Sequence, residues 1–183
     1  MDIIERQRLK QMEDNIPDIW EYKNYLYIGA GPYRHHFFDR MKEKNVRVIV
    51  VEIDKENFDW LAEVDWLHMV YHTDIRDFLK FLHMTQGKPR YPEDVFDCVI
   101  WSHGIETISK EDGVAALLRL EMFPLVVHMT PYGDCGGNGN VSVWLPEDFK
   151  NYGYRVDVDK NRPGIRNSNL LAWKHNVLEK ETR

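Results

Sequence analysis

The chain has 183 residues, of which 43% are hydrophobic and 30% charged, and its formal net charge is −6 at pH 7. This length and composition suit one globular domain with a core of its own, here taken as residues 1–183. An acidic chain without a clear basic cluster disfavours nucleic acid as a partner, and no apolar run approaches the roughly 20 residues of a membrane-spanning helix.

The N-terminal segment MDIIERQRLKQMEDN favours a helix over residues 2–15, broken at Asn15-Ile16-Pro17. We treat residues 1–20 as a helical extension that precedes the main alternating pattern. The segment is charged and lacks the apolar stretch of a signal peptide, so a cytoplasmic location is expected.

From residue 25 onward, short apolar runs alternate with helix-forming segments. The predicted strands are Tyr25–Ile28, Arg47–Ile53, Leu67–Tyr71, Phe96–Trp101 and Leu125–Met129. The predicted helices are Tyr33–Glu43, Glu56–Glu63, Ile75–Met84 and Lys110–Met122. Continuous apolar strands separated by helices are typical of a parallel sheet that is covered on both faces.

The C-terminal part follows a different pattern. A short helix is predicted over Pro146–Tyr152, Gly153 turns the chain into a sixth strand, and Asn169–Val177 forms a seventh after a turn at Arg162-Pro163-Gly164. Two strands joined in this way form an antiparallel hairpin. The predicted fold is therefore α/β: a Rossmann-like, doubly wound, mostly parallel seven-stranded sheet with an antiparallel C-terminal edge hairpin.

A glycine-rich turn, Gly29-Ala30-Gly31, follows the first predicted strand. Glycine there lets the backbone approach a ligand closely, because it has no side chain and tolerates positive φ. The third glycine of the dinucleotide fingerprint is replaced by Arg34, and no Walker A pattern is present. An ordinary tight turn between strand and helix is the alternative interpretation.

Acidic residues end the next two predicted strands. Glu52 lies about 20 residues after the glycines, where a carboxylate can accept the hydroxyls of a ribose. Asp74 followed by Ile75 suits an adenine, with one acceptor for the amino group and one apolar wall. The alternatives are a solvated strand end or a helix cap for Glu52 and Asp54, and a helix cap for Asp74 or Thr73. The fourth strand brings the segment Trp101-Ser102-His103 and Glu106 to the same rim.

Taken in order, these elements resemble a class I S-adenosylmethionine-dependent methyltransferase. The similarity runs over nearly the whole chain after residue 20 and includes the block FDCVIWSHGIE and the tail WLPEDFKNYGYRV. The resemblance implies S-adenosylmethionine as cofactor and a small-molecule or protein acceptor. It implies cofactor contacts from Gly29, Gly31, Pro32, Glu52, Ile53, Asp74, Ile75 and Ser102. Where the family usually has an acid, two residues before the first glycine, this chain has Tyr27.

His103 is the candidate general base, because it lies at the mouth of the fourth strand and histidine titrates near neutral pH. Glu106 would orient it or face the substrate. The alternative is that His103 hydrogen-bonds a loop backbone and that Glu106 starts the helix near Ser109. The neighbouring His35 and His36 point in different directions on a helix, which argues against a metal site.

Two further expectations concern the second half of the chain. His128, inside the fifth strand, is expected to be a hydrogen-bonded core residue. The glycine-rich loop Gly133–Asn140 is either a mobile flap over the acceptor site or a plain connection. A non-catalytic scaffold and a nicotinamide-dependent oxidoreductase remain as competing functions.

Overall fold

A computed structural model describes residues 2–31, 35–84, 96–132, 139–159 and 168–176 of the chain. Seven strands alternate with six helices over these residues. The strands are β1 Asn24–Ile28, β2 Arg47–Glu52, β3 Met69–His72, β4 Cys98–Ser102, β5 Leu125–Pro131, β6 Arg155–Val158 and β7 Asn169–His175. The helices are α1 Asp2–Asn15, α2 His35–Glu43, α3 Lys55–Ala62, α4 Ile75–Met84, α5 Lys110–Leu120 and α6 Pro146–Lys150.

All seven strands form one sheet in the order β3-β2-β1-β4-β5-β7-β6. The first five strands pair in parallel, whereas β7 runs antiparallel to both β5 and β6. The predicted fold class is confirmed, including the antiparallel C-terminal hairpin. The hairpin returns inward, so that β7 pairs with β5 and β6 becomes the edge strand.

Alternate side chains of each strand separate into two cores, one on each face of the sheet. On β1, Tyr25 and Tyr27 point toward α1 and α2, whereas Leu26 and Ile28 point toward α4 and α5. Most β-strand residues on both faces are fully buried, which explains the continuous apolar runs in the sequence.

Helix α1 packs onto the domain through both apolar and polar contacts. Met12 is fully buried, and the side-chain amide of Gln11 donates to Asp157 on β6 at 2.8 Å. The amide of Asn169 on β7 donates in turn to Gln11 at 2.8 Å.

None of the helices in the described ranges has the length and apolar character that a membrane span requires.

Element boundaries differ from the predicted ones by a few residues. The third strand begins at Met69 rather than Leu67 and is half-exposed, as an edge strand without alternating apolar residues is expected to be. Two 3₁₀ turns, Ile19–Glu21 and Ile105–Thr107, were not predicted. Three predicted features lie outside the described residues: the hairpin turn at residues 162–164, the start of the second helix at residue 33, and residues 133–138 of the glycine-rich loop.

His128 is a core residue, but the expectation that it is hydrogen-bonded is wrong. Its side chain is fully buried, and neither ring nitrogen has a hydrogen-bond partner within the described part of the chain. Three aromatic rings surround it, with centroids 5.4–5.6 Å away: Trp101, Phe149 and Tyr154. Burial lowers the pKa of His128 to about 3, because charging the ring in this apolar surrounding is unfavourable.

Candidate functional site

The order of the strands reverses between β1 and β4, and a cleft of about 340 Å³ opens there at the carboxyl ends of the strands. This is the position at which open α/β sheets bind their ligands. The predicted site residues that line the cleft are Gly29, Gly31, Glu52, Ile53, Asp74, Ile75 and His103.

The glycine turn adopts the backbone conformation that its composition predicted. Gly29 has φ +67° and Gly31 has φ +55°, both in the left-handed region that favours glycine. A side chain on Gly29 would come within 3.9 Å of the Ser102 carbonyl oxygen, so the turn lies against the end of β4. Among the described residues other than its chain neighbours, none has an atom within 4 Å of the place that a side-chain carbon on Gly31 would take beside the cleft.

Glu52 holds the glycine turn and its own strand end together. Its side chain is almost fully buried, and Oε2 accepts a hydrogen bond from the backbone N–H of Gly31 at 3.0 Å. Oε1 accepts from the N–H groups of Ile53 and Asp54, both at 2.9 Å. The cap of α3 is made by Asp54 instead, whose carboxylate accepts from Asn57. Glu52 is thus part of the cleft wall rather than a solvated strand end.

Asp74 lies both at the start of α4 and in the wall of the cleft. Its carboxylate accepts from the backbone N–H of Arg76 at 2.7 Å in the first turn of α4, and it also lines the cleft. The Arg76 guanidinium donates to both carboxylate oxygens and reaches Asp112 at the start of α5. These hydrogen bonds from Arg76 lower the pKa of Asp74.

The end of β4 places Trp101 in the cleft and Ser102 inside the protein. Ser102 is fully buried and is not among the residues that line the cleft. The Trp101 ring lies against Gly104, where a side-chain carbon would come within 2.3 Å of the indole Nε1. The sequence analysis gave no role to Gly104. Its position directly after the candidate base His103 could have indicated that another group packs closely against the backbone there.

His103 and Glu106 form a close pair beside the cleft. The Nδ1 atom of His103 lies 3.3 Å from Oε1 of Glu106. His103 has φ +54°, a left-handed conformation that is uncommon for a residue other than glycine and is typical of functional turns. Its ring lines the cleft, and its Nε2 atom is buried. Glu106 does not start α5; it lies on a 3₁₀ turn, and Ser109 caps the helix.

Glu106 is a buried carboxylate with several partners. Burial alone would raise its pKa, but the hydrogen bond from His103, together with the charge of that ring when it is protonated, outweighs this, so that the pKa of Glu106 is lowered. The hydroxyl of Thr130, which is fully buried in β5, donates to Oε2 of Glu106 at 3.1 Å. Thr130 was missed at the sequence level, because a single threonine at the end of an apolar strand carries no signal of its own.

The position at which the family usually has an acid does not contribute to the cleft. Tyr27, at the position of the family's usual acid, is buried under α2, with its ring centroid 5.2 Å from that of Phe38. It does not line the cleft. Pro32 lies outside the described residues. The methionine end of a cofactor would therefore have to be held by other groups than a carboxylate at residue 27.

Solved methyltransferases share this fold at low sequence identity. A SAM-dependent methyltransferase from Archaeoglobus fulgidus is 17% identical, with 93% of this chain and 94% of that chain covered and a TM-score of 0.63. The magnesium protoporphyrin IX methyltransferase from Synechocystis, solved with SAM, is 7% identical, with 94% of this chain and 79% of that chain covered and a TM-score of 0.61. The plantazolicin methyltransferase BpumL, solved with SAH, is 9% identical, with 85% of this chain and 77% of that chain covered and a TM-score of 0.58.

No protein-family model matches the chain, and no curated protein matches it by sequence. The likeness is therefore one of architecture, and it extends over most of the chain and of each of these three proteins. Together with the strand order and the position of the cleft, it shows that the chain has the fold of the class I S-adenosylmethionine-dependent methyltransferases.

Proposed function

We propose that the chain is an S-adenosylmethionine-dependent methyltransferase that acts on a small-molecule or protein acceptor. The observation that carries this proposal is a single cleft at the strand-order reversal, which collects the bare glycine turn, two carboxylates and a histidine. Each of these groups comes from the end of a different strand, and together they offer contacts for an adenosine and for a reacting centre.

The residues present fit the adenosine part of the cofactor. Apart from its chain neighbours, no described residue comes within 4 Å of the side-chain position of Gly31, so a ligand can lie against the backbone there, and Ile53 and Ile75 provide apolar walls. Glu52 would accept from the ribose hydroxyls, and Asp74 would accept from the adenine amino group. Both carboxylates line the cleft while bonded to backbone N–H groups, so their oxygens are held in fixed positions.

S-Adenosylmethionine supplies a methyl group on a positively charged sulfur when it is bound. The work left to the protein is to align the acceptor and, where the acceptor carries a proton, to remove it. His103 is the group of the cleft best suited to remove a proton, because its Nδ1 lies beside a buried carboxylate.

A non-catalytic binding or scaffold protein is the second candidate function. Two observations favour it: Tyr27 replaces the usual acid and is buried away from the cleft, and both cleft carboxylates already accept internal hydrogen bonds. A nicotinamide-dependent oxidoreductase is less well supported, because Arg34 stands where the dinucleotide fingerprint has its third glycine.

Isothermal titration with S-adenosylhomocysteine and, separately, with NAD tests the proposed cofactor. We expect binding of S-adenosylhomocysteine with a Kd between submicromolar and tens of micromolar, on the order usual for such cofactors, and no binding of NAD. Glu52→Ala should weaken binding by about 1–3 kcal/mol, the effect of removing a charged hydrogen-bond partner. Glu56→Ala, an exposed acid in the first turn of α3, is the matched control and should bind like the wild type.

Two results would contradict the proposal. Binding of NAD alone would favour the oxidoreductase. Binding of neither compound would favour a scaffold protein that keeps the fold without the cofactor. Because Glu52 also holds the Gly31 turn, the thermal unfolding midpoint of Glu52→Ala has to be measured as well. An affinity equal to that of the wild type in the folded variant would remove Glu52 from the site.

A further inference from the structure

Three side chains from three different segments meet beside the cleft. His103 follows β4, Glu106 lies on the 3₁₀ turn after it, and Thr130 is near the end of β5. Nδ1 of His103 lies 3.3 Å from one carboxylate oxygen of Glu106, and the Thr130 hydroxyl donates to the other oxygen at 3.1 Å. The carboxylate is therefore held from both sides.

The surroundings make this arrangement specific. Thr130 is fully buried and Glu106 is 5% exposed, so water does not compete freely for the carboxylate. The backbone carbonyl of Glu106 also accepts from the N–H groups of Val141 and Ser142, at 2.8 and 3.0 Å. Both ends of the Glu106 residue are thus fixed, and its carboxylate cannot rotate away from His103 without losing the Thr130 hydrogen bond.

A neutral imidazole carries one proton, and the hydrogen bond at one ring nitrogen decides which nitrogen has it. A carboxylate beside Nδ1 stabilises the proton there and leaves Nε2 as the acceptor. The same carboxylate stabilises the imidazolium that forms when Nε2 takes up a second proton. Nε2 is buried in the ligand-free protein, and catalytic hydrogen bonds commonly form only in the complex with substrate.

We propose that Thr130 is a positioning residue, which acts through Glu106 to hold His103 as the Nδ1–H tautomer with Nε2 as the base. This inference rests on the proposed methyltransferase function and assigns it an acceptor that carries a proton to be removed, such as a hydroxyl. The acceptor oxygen forms a bond to the methyl carbon, the electrons of the carbon–sulfur bond return to sulfur, and the hydroxyl proton goes to Nε2. An acceptor that is already an anion, such as a carboxylate, would need no such base.

The tautomer is measured by nitrogen-15 NMR of the histidine rings in the full chain, without cofactor or acceptor. His103→Gln identifies the His103 signals among those of the 8 histidines. We expect the Nδ1–H form to predominate in the wild type and in Thr130→Ser, which keeps the hydroxyl. The ratio of Nδ1–H to Nε2–H should fall about threefold in Thr130→Val and about tenfold in Glu106→Gln.

Ser142→Ala is the matched control, because it removes a hydroxyl that bonds Ile105 and Trp144 in the same neighbourhood but not the Glu106 carboxylate. It should leave the ratio unchanged. An Nε2–H majority in the wild type, or equal ratios in Thr130→Val and the wild type, would overturn the proposal. If Thr130→Val does not fold, Thr130→Cys takes its place. Titration with S-adenosylhomocysteine is independent of this measurement, so the failure of one inference is distinguishable from the failure of the other.

Discussion

Replacing His128 by phenylalanine should remove the contribution of this one side chain to the acid sensitivity of the protein. The His128 ring is fully buried among aromatic side chains, and burial lowers its pKa to about 3. In the unfolded chain the same ring has an ordinary pKa of about 6.5. Below that pH the unfolded state therefore binds a proton that the folded state does not bind, and the free energy of unfolding falls as the pH falls.

The size of the effect follows from the unfolded-state pKa. Between about pH 7 and pH 5, protonation of His128 in the unfolded chain lowers the free energy of unfolding by about 2 kcal/mol. Burial lowers the folded-state pKa of His128 to about 3, below this range, so the folded ring stays neutral at both pH values. His128→Phe has no ring to protonate at this position. Between the two pH values the free energy of unfolding of the variant should therefore rise relative to that of the wild type by this amount.

Urea unfolding followed by circular dichroism at the two pH values measures this difference. Any constant offset from the slightly larger phenylalanine ring cancels, because only the change with pH is compared. His68→Gln, at an exposed position, is the control and should follow the wild type. Parallel loss of stability in the wild type and in His128→Phe, to within about 0.5 kcal/mol, would show that His128 is protonated or solvated in the folded state.

Three further predictions concern a tightly packed glycine, the buried cysteine and the candidate base. Gly113→Ala should lower the free energy of unfolding by about 1–3 kcal/mol, because the alanine side chain would lie 2.3 Å from Trp144. This clash outweighs the preference of alanine for a helix, and chemical denaturation measures the net effect. Burial raises the pKa of the Cys98 thiol well above its usual value, so in Cys135→Ser a thiol-specific disulfide reagent should label Cys98 only as fast as the chain unfolds. His103→Ala should lower methyl transfer to an identified acceptor at least about tenfold more than it lowers affinity for S-adenosylhomocysteine; equal losses would make it a wall of the cofactor cleft.

The fold was predictable because its signals are local and repeated. Runs such as residues 47–52 are buried on both faces of the sheet and read as continuous apolar segments. The position of β7 between β5 and β6 depends on pairings between residues distant in the chain, such as Val127 with Trp173, and single segments do not encode these. The two 3₁₀ turns are too short to produce a periodic pattern.

The site was predictable where a residue type is forced by the backbone or stands at a strand end. Gly29 and Gly31 need positive φ, and Glu52 ends a buried strand, so sequence alone pointed to them. Thr130 and Arg76 act by reaching groups on other elements, and their importance depends on distances that only the folded chain defines. The burial of Ser102 was missed because the direction of a strand's last side chain cannot be deduced from its position alone.

The hydrogen bonds of Glu52 have a consequence for how a nucleoside enters the cleft. A carboxylate offers about four lone pairs, and the N–H groups of Gly31, Ile53 and Asp54 already occupy three positions. Under the proposed function a ribose would present two hydroxyl donors, so that one takes the remaining position and the other has to displace an internal donor such as the N–H of Gly31, a residue that lines the cleft. Recognition is then one new hydrogen bond and one exchange of partners, and the Gly31 amide proton reports directly whether the exchange has taken place.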